Sequence, residues 1–188
     1  MAKTKNNIFM TGLSGTVGRQ MTLTQKKGDT IVGKKRGPSS VPATDPQLDI
    51  QDRFKIASKY ALAVIQNPVT KATYAAAAKN NQSAYNVALA DAFKAPEIKS
   101  INTTAYHGQP GDIITIRAVD DFKVVTVQVS ITTAAGVLVE QGNAVLTGNG
   151  MDWNYTATSL NNAPAGSKIH VTAKDLPANE TEEEAIVA

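Results

Sequence analysis

The stretch Phe122-Lys-Val-Val-Thr-Val-Gln-Val-Ser-Ile-Thr132 decides the fold. Val125, Val127, Val129 and Ile131 fall on every second residue, and Thr126, Gln128 and Ser130 fill the positions between. Period two marks a strand with one face in a core and the other toward water. The pattern continues on both sides. Ile98 and Ile101, then Asp112-Ile-Ile-Thr-Ile-Arg-Ala-Val119, precede it, and Gly136–Glu140, Asn143–Thr147, Trp153–Thr158 and Lys168–Ala173 follow. Turn sequences at Gly108-Gln-Pro-Gly111, Ala134-Ala-Gly136, Gly148-Asn-Gly150 and Asn161-Asn-Ala-Pro164 separate them. Seven short strands within about 90 residues predict an antiparallel β-sandwich over 96–188. Trp153, the single tryptophan, lies in one of those strands and is expected to anchor the core. The acidic end Glu180, Glu182, Glu183 and Glu184 reads as a solvated tail.

Upstream, over 45–95, the period changes to that of helices. Thr44-Asp45-Pro46 supplies a capping side chain and a first-turn proline. Leu48, Ile50, Phe54, Ile56, Ala57, Tyr60, Ala61, Val64 and Ile65 then recur at spacings of three and four, which predicts one buried stripe. Asn67-Pro68 ends that helix and opens a second through Lys79, with Tyr74 set in a run of alanines. Asn80-Asn81-Gln82-Ser83 breaks the pattern before a third helix, Ala84–Lys94, whose predicted buried face is Tyr85, Leu89 and Phe93.

Residues 1–44 differ from both segments. They hold eight basic residues (Lys3, Lys5, Arg19, Lys26, Lys27, Lys34, Lys35, Arg36) against one acid, Asp29. Arg19–Lys26, the turn Lys27-Gly28-Asp29 and Thr30-Ile31-Val32 predict a β-hairpin, which is marginal in water without a partner surface. Gly12, Gly15 and Gly18 suggest a phosphate-binding loop, but no Lys-Ser/Thr follows at the required spacing. The basic excess belongs to a wider asymmetry. Residues 1–99 carry 15 Lys and Arg against 6 Asp and Glu, a balance of +9, whereas residues 100–188 carry 4 against 10, a balance of −6. A basic arm of this kind either lies on an acidic partner or keeps the chain soluble.

Composition excludes several classes of function. The chain has 188 residues, 42% hydrophobic and 19% charged, so it is globular rather than disordered. It has no cysteine, which removes disulfides, thiolate metal sites and a cysteine nucleophile together. His107 and His170 stand about 60 residues apart, too little imidazole for an evident metal or acid–base site. No run approaches the roughly 18 apolar residues of a membrane-spanning helix. The opening MAKTKNNIFMTGLSG lacks the apolar core of a secretory signal, which argues against export by that route. No Gly-x-Ser-x-Gly elbow, His-Glu-x-x-His helix or Walker loop is present. Asp112, Asp120, Asp121 and Asp175 lie near strand ends, where some immunoglobulin-like modules collect calcium. A pair such as Asp120-Asp121 at a strand corner also serves as an ordinary turn.

The residues from Ala95 to Thr181 resemble bacterial immunoglobulin-like modules. The likeness includes the ending of such modules, here Ala173-Lys-Asp175-Leu-Pro-Ala178-Asn179-Glu-Thr181, with Ala178 where the modules carry glycine. The N-terminal half resembles a bacterial family of unknown function through Asn7–Gly18 and through Asp45-Pro46-Gln47 to Arg53-Phe54-Lys55-Ile56-Ala57. That family implies no activity.

The expected fold class is therefore α+β: a basic arm with a β-hairpin over 1–44, a helical region over 45–95 and an immunoglobulin-like sandwich over 96–188. The expected function is structural and non-enzymatic, that of a phage virion component such as a capsid decoration, assembled in the host cytoplasm. The assembly contacts are expected at Arg19, Lys26, Lys27, Lys34, Lys35 and Arg36, and the partners are other protein subunits of a homo- or hetero-oligomer. No catalytic residue, cofactor, metal, nucleic acid or membrane is expected. The alternative is an adhesion or surface-binding module at the cell surface.

Overall fold

The computed structural model of the chain describes residues 2–4, 9–26, 28–37, 41–79 and 82–188. Lys5, Asn7, Ile8, Lys27, Asn80 and Asn81, invoked above, lie outside them. The class is α+β, with three helices and three antiparallel sheets of four strands each among the described residues. The chain divides into two compact units, Met1–Thr44 and Asp45–Ala188.

The first unit is one sheet built from β1 (Ala2–Thr4), β2 (Gly15–Val17), β3 (Met21–Lys26) and β4 (Asp29–Lys34), in the order β1-β4-β3-β2. The expected hairpin is present as β3–β4, with Lys26 opposite Asp29. A two-residue hairpin loop demands positive φ, and Gly28 provides it at +84°. The flanking strands were not legible, because each has three residues and no apolar alternation. Residues around Met10 and Leu13 return to the sheet: Gln25 Nε2 donates to the Leu13 carbonyl at 2.6 Å, and Thr30 Oγ1 donates to the Met10 carbonyl at 2.8 Å.

In the second unit, β5 (Glu97–Asn102), β6 (Ile113–Val119), β10 (Asp152–Thr156) and β9 (Val145–Leu146) pair in that order. The other sheet runs β12 (Glu180–Ile186), β11 (Lys168–Asp175), β7 (Val124–Thr132) and β8 (Leu138–Asn143). Both sheets supply one core: Ile114 and Ile116 from β6, Val127, Val129 and Ile131 from β7, Trp153 and Tyr155 from β10, and Ile169 and Val171 from β11. Burying such side chains stabilises by about 1.5–3 kcal/mol each, which makes this cluster the main source of stability.

Two expectations for these strands need correction. Glu180–Ile186 is no solvated tail but an eighth strand on the sheet edge, with Lys174–Glu180, His170–Glu182 and Lys168–Glu184 pairing across it. The three glutamates alternate, so they line one face, Glu180 directly opposite Lys174 and the other two reaching their β11 partners diagonally. Val125 is exposed at 41%, and Val124 is buried in its place. A register shift opposite Lys174/Asp175 turns the start of β7 by one residue, and a one-residue slip exchanges faces.

The helices are α1 (Asp45–Gln66), α2 (Pro68–Ala77) and α3 (Ala84–Phe93). Asn67 and Ser83 cap α2 and α3, accepting from Val69 N and Asn86 N. The apolar stripe of α1 is only half used. Ala57, Ala61 and Val64 are buried, whereas Leu48, Ile50, Phe54 and Ile56 are exposed. Length explains the difference: at 1.5 Å per residue α1 is about 33 Å long and α3 about 15 Å, so α3 covers one half of it. On α3 the buried line is Ala84, Ala88 and Asp91, with Tyr85, Leu89 and Phe93 only partly covered. Small alanines let α1 approach closely, and the larger side chains flank the contact.

Candidate functional site

Within the first unit the ladder determines which basic residues meet. Gly18 and Arg19 both take positive φ, near +58°, in the turn from β2 to β3. Gln20 then accepts from Lys35 N at 2.8 Å, which extends the β3–β4 ladder past Lys34. Arg19, Lys34, Lys35 and Arg36 are thereby gathered at one end of the sheet. Lys26 lies at the other, about 17 Å away along six residues of strand. Thr16, Thr22, Thr24, Ile31 and Gly33 line a broad shallow hollow that runs to Lys34, Lys35 and Arg36. The structure so separates the six predicted contacts: four converge, Lys26 is remote and Lys27 lies outside the described residues.

A second constellation sits where the helices meet the sheets. The carboxylates of Asp91 on α3, Asp120 after β6 and Asp175 at the end of β11 each offer an oxygen within 4.8 Å of the others. Asp91 is 1% exposed and Asp175 4%. Tyr74 donates its hydroxyl to Asp91 Oδ2 at 2.5 Å, and the Tyr60 hydroxyl lies 2.8 Å from that of Tyr74. Asp120 Oδ2 accepts from Phe122 N and Lys123 N. Asp175 holds Asn179 by both oxygens, at 2.6 Å from the main-chain N and 2.7 Å from Nδ2. Asn179 Nδ2 also reaches the carbonyls of Asp91, Ala92 and Lys94, which ties the end of α3 to the β11–β12 turn.

Burial governs the electrostatics of this cluster. Desolvation pushes the Asp91 carboxyl up to about 7; the Tyr74 hydrogen bond opposes this, and the charges of Asp120 and Asp175 add to it. Desolvation also raises Asp175, against its bonds from Asn179. Tyr74 is raised well above its ordinary value by burial and then by its bond to Asp91, so it stays a neutral donor.

The other acids singled out in the sequence have separate tasks. Asp121 pairs with Lys94 at 2.6 Å in solvent. Asp112 accepts from His107 N and Gln109 N and closes a turn. Trp153 is 7% exposed in the core, paired across strands with Ile116 and Leu146. Sequence reasoning passed over Asp91. Its signal was an acid at i+7 from Ala84 and i+3 from Ala88 on an otherwise small-residue face.

No family model and no curated protein matches the chain. Among solved structures, a crystal structure at 1.98 Å titled as an engineered protein, from the Northeast Structural Genomics Consortium, aligns with 14% identity and a TM-score of 0.32. The alignment covers 56% of this chain and 27% of that one. A likeness at that score carries no argument about fold or function. Among the described residues no helix is long and apolar enough to cross a membrane.

Proposed function

We propose that this chain is a non-enzymatic assembly protein, a component of a phage virion, which docks through residues 1–44 and displays an immunoglobulin-like domain. The observation that carries this reading is the thinness of the first unit. Among its described residues only Leu23 and Thr30 are buried, while Leu13, Val17 and Met21 are exposed. Burying one leucine contributes about 2 kcal/mol, and ordering a backbone costs about 1–2 kcal/mol per residue. A sheet with that balance gains its stability from a surface it covers. The basic end formed by Arg19, Lys34, Lys35 and Arg36 makes an acidic protein surface the fitting partner.

Strand order supports the finer fold reading. Lettered along the chain, β5-β6-β10-β9 reads A-B-E-D and β12-β11-β7-β8 reads G-F-C-C′, the constant-type arrangement with one added edge strand. Two departures stand beside it: there is no cysteine pair, and the tryptophan lies on the E position rather than on C. The absence of cysteine suits assembly in a reducing cytoplasm.

The test is assembly of the full chain with Arg19, Lys34, Lys35 and Arg36 replaced by alanine. The reading expects loss of incorporation into particles with the β-rich spectrum and the Trp153 fluorescence unchanged. Deletion of 1–44 is expected to do the same. Unchanged incorporation overturns the docking role. Duplex DNA at physiological salt is expected to bind no better than about 10⁻⁴ M, the weak end of non-specific binding; micromolar binding lost in the same variant replaces the docking role with nucleic-acid packaging.

A further inference from the structure

We infer that Asp91, Asp120 and Asp175 form a binding site for a hard divalent cation such as Ca²⁺, enclosed between α3 and the ends of the two sheets. The inference begins with oxygens that have no donor. Asp91 Oδ1 and Asp120 Oδ1 are both buried from solvent and neither has a hydrogen-bond partner. Their sister oxygens are committed, Asp91 Oδ2 to Tyr74 and Asp120 Oδ2 to the main chain at Phe122 and Lys123. A buried acceptor left without a partner is costly. Here two of them belong to carboxyl groups within hydrogen-bonding reach of each other.

No ion pair compensates them, although the Lys94 charge also acts on Asp120 and Lys79 lines the adjoining cavity. Among the described residues no ion pair involves Asp91, Asp120 or Asp175, and the nearby Lys94 is engaged by Asp121. The C-terminal turn of α3, which contains Asp91, has no basic residue and brings the negative end of the helix dipole to the same place. A single proton shared by Asp91 and Asp120 would leave the other negative charges facing one another. A divalent cation answers all of them.

Donor type selects the class of ion, and the spacing admits Ca²⁺. All three ligands are carboxylate oxygens, the preference of Ca²⁺ and Mg²⁺ rather than of softer metals. The three oxygens lie within 4.8 Å of one another, close enough to share one ion with bonds of about 2.4 Å, the Ca²⁺ range. Asp91 also lines a cavity of about 200 Å³ with Lys79, Gln82, Asp121 and Phe122, where water can complete the coordination. The ligands are held in advance: Tyr74 fixes Asp91, and Asn179 fixes Asp175 while binding the carbonyls at the end of α3.

The test uses the full chain freed of metal with a chelator. Terbium, a luminescent stand-in for calcium, should give saturable emission on tyrosine excitation, because Tyr74 touches a ligand. Calcium chloride should displace it and raise the thermal midpoint. Asp120→Asn should weaken binding tenfold or more and abolish the calcium-dependent rise, with Asp91→Asn as the second variant in case the first does not fold. Three results overturn the inference: no saturable emission and no calcium-dependent shift in the wild type below millimolar ion; affinity unchanged in both variants; or Asp91→Asn in chelator matching the stability of the calcium-loaded wild type, which marks a site for a shared proton only.

Discussion

The ring of Tyr74 lies on that of Phe122, with centroids 4.5 Å apart and planes inclined by 26°. Tyr74 comes from α2 and Phe122 from the corner between β6 and β7, so the stack joins helix to sandwich at the point where the Tyr74 hydroxyl meets Asp91. The helices therefore complete the end of the sandwich as well as packing on one another. A fragment 96–188 exposes Phe122 and leaves Asn179 without its carbonyl partners on α3. A fragment 45–188 is expected to unfold cooperatively at a higher urea midpoint than 96–188, and equal midpoints would contradict this. In the full chain Tyr74→Phe keeps the stack and deletes the donor to a buried carboxyl, at an expected cost of about 1–3 kcal/mol; a neutral substitution would show that Asp91 does not need it.

Ala178 sits at φ +71°, in the left-handed region, within the turn where Ala178 N donates to the Asp175 carbonyl. An L-residue with a Cβ pays about 1–2 kcal/mol there, and glycine avoids it at some loss in the unfolded chain. Ala178→Gly is expected to stabilise the protein by about 0.5–1 kcal/mol, read as a rise in urea midpoint. A lower midpoint would mean that the methyl group contributes packing worth more than the strain.

The sandwich and the three helices were legible because their signals are local and repeated. The valines of β7, the Ser83 cap and Asn67-Pro68 each specify an element from a few neighbours. What was not legible depends on distance. Nothing near Glu180 says that its partner is Lys174 across a turn rather than water. The exposed half of α1 carries the same apolar spacing as the buried half, and only the short length of α3 separates Leu48 from Ala61. The carboxylate cluster is the extreme case. Asp120 and Asp175 were visible as acids at strand ends, but Asp91 joins them from a helix through contacts 29 and 84 residues away in sequence, and no spacing rule connects the three.

Trp153 is buried but its indole Nε1 has no hydrogen-bond partner, so its contribution is packing rather than polar recognition. Trp153→Ala is expected to cost about 3–5 kcal/mol. Trp153→Phe keeps an aromatic ring and loses only an N–H without an acceptor, so it is expected to cost less than half as much. Equal costs, measured by urea unfolding, would assign the indole nitrogen a role.

Gly108 takes φ +84°, and a Cβ built there would sit inside contact distance of the Asn161 carbonyl and against Pro164. The approach is close because Asn161 N donates to the Gly108 carbonyl at 2.8 Å, while Asn161 Nδ2 holds Tyr106 and Ser167 inside the core end. Gly108→Ala therefore combines backbone strain with a clash against backbone, which cannot rotate away. The expected loss is about 2–4 kcal/mol, with Gly148→Ala, at an open position without positive φ, as the neutral control. Comparable midpoints for the two variants would refute the account.

The turn that Gly108 begins is closed by Asp112, and this gives the fold a defined response to acid. The main-chain N–H groups of Gln109 and His107, at 2.8 and 2.6 Å, hold the Asp112 carboxyl below the ordinary aspartate range. In the unfolded chain it returns to about 3.9. A folded-state value below the unfolded one means that the contribution is fully present above about pH 4–5 and fades as pH falls through the folded value, because protonation removes the acceptor from both N–H groups. Asp112→Asn is expected to lower the urea midpoint near neutral pH, where the amide oxygen is a weaker acceptor than a carboxylate. The gap between variant and wild type should then shrink as pH falls through the folded-state value and the wild-type carboxyl is neutralised. Measured in parallel from neutral to acid pH, the two curves should converge on the acid side. A gap of constant size would mean that Asp112 closes the turn by its shape and not by its charge.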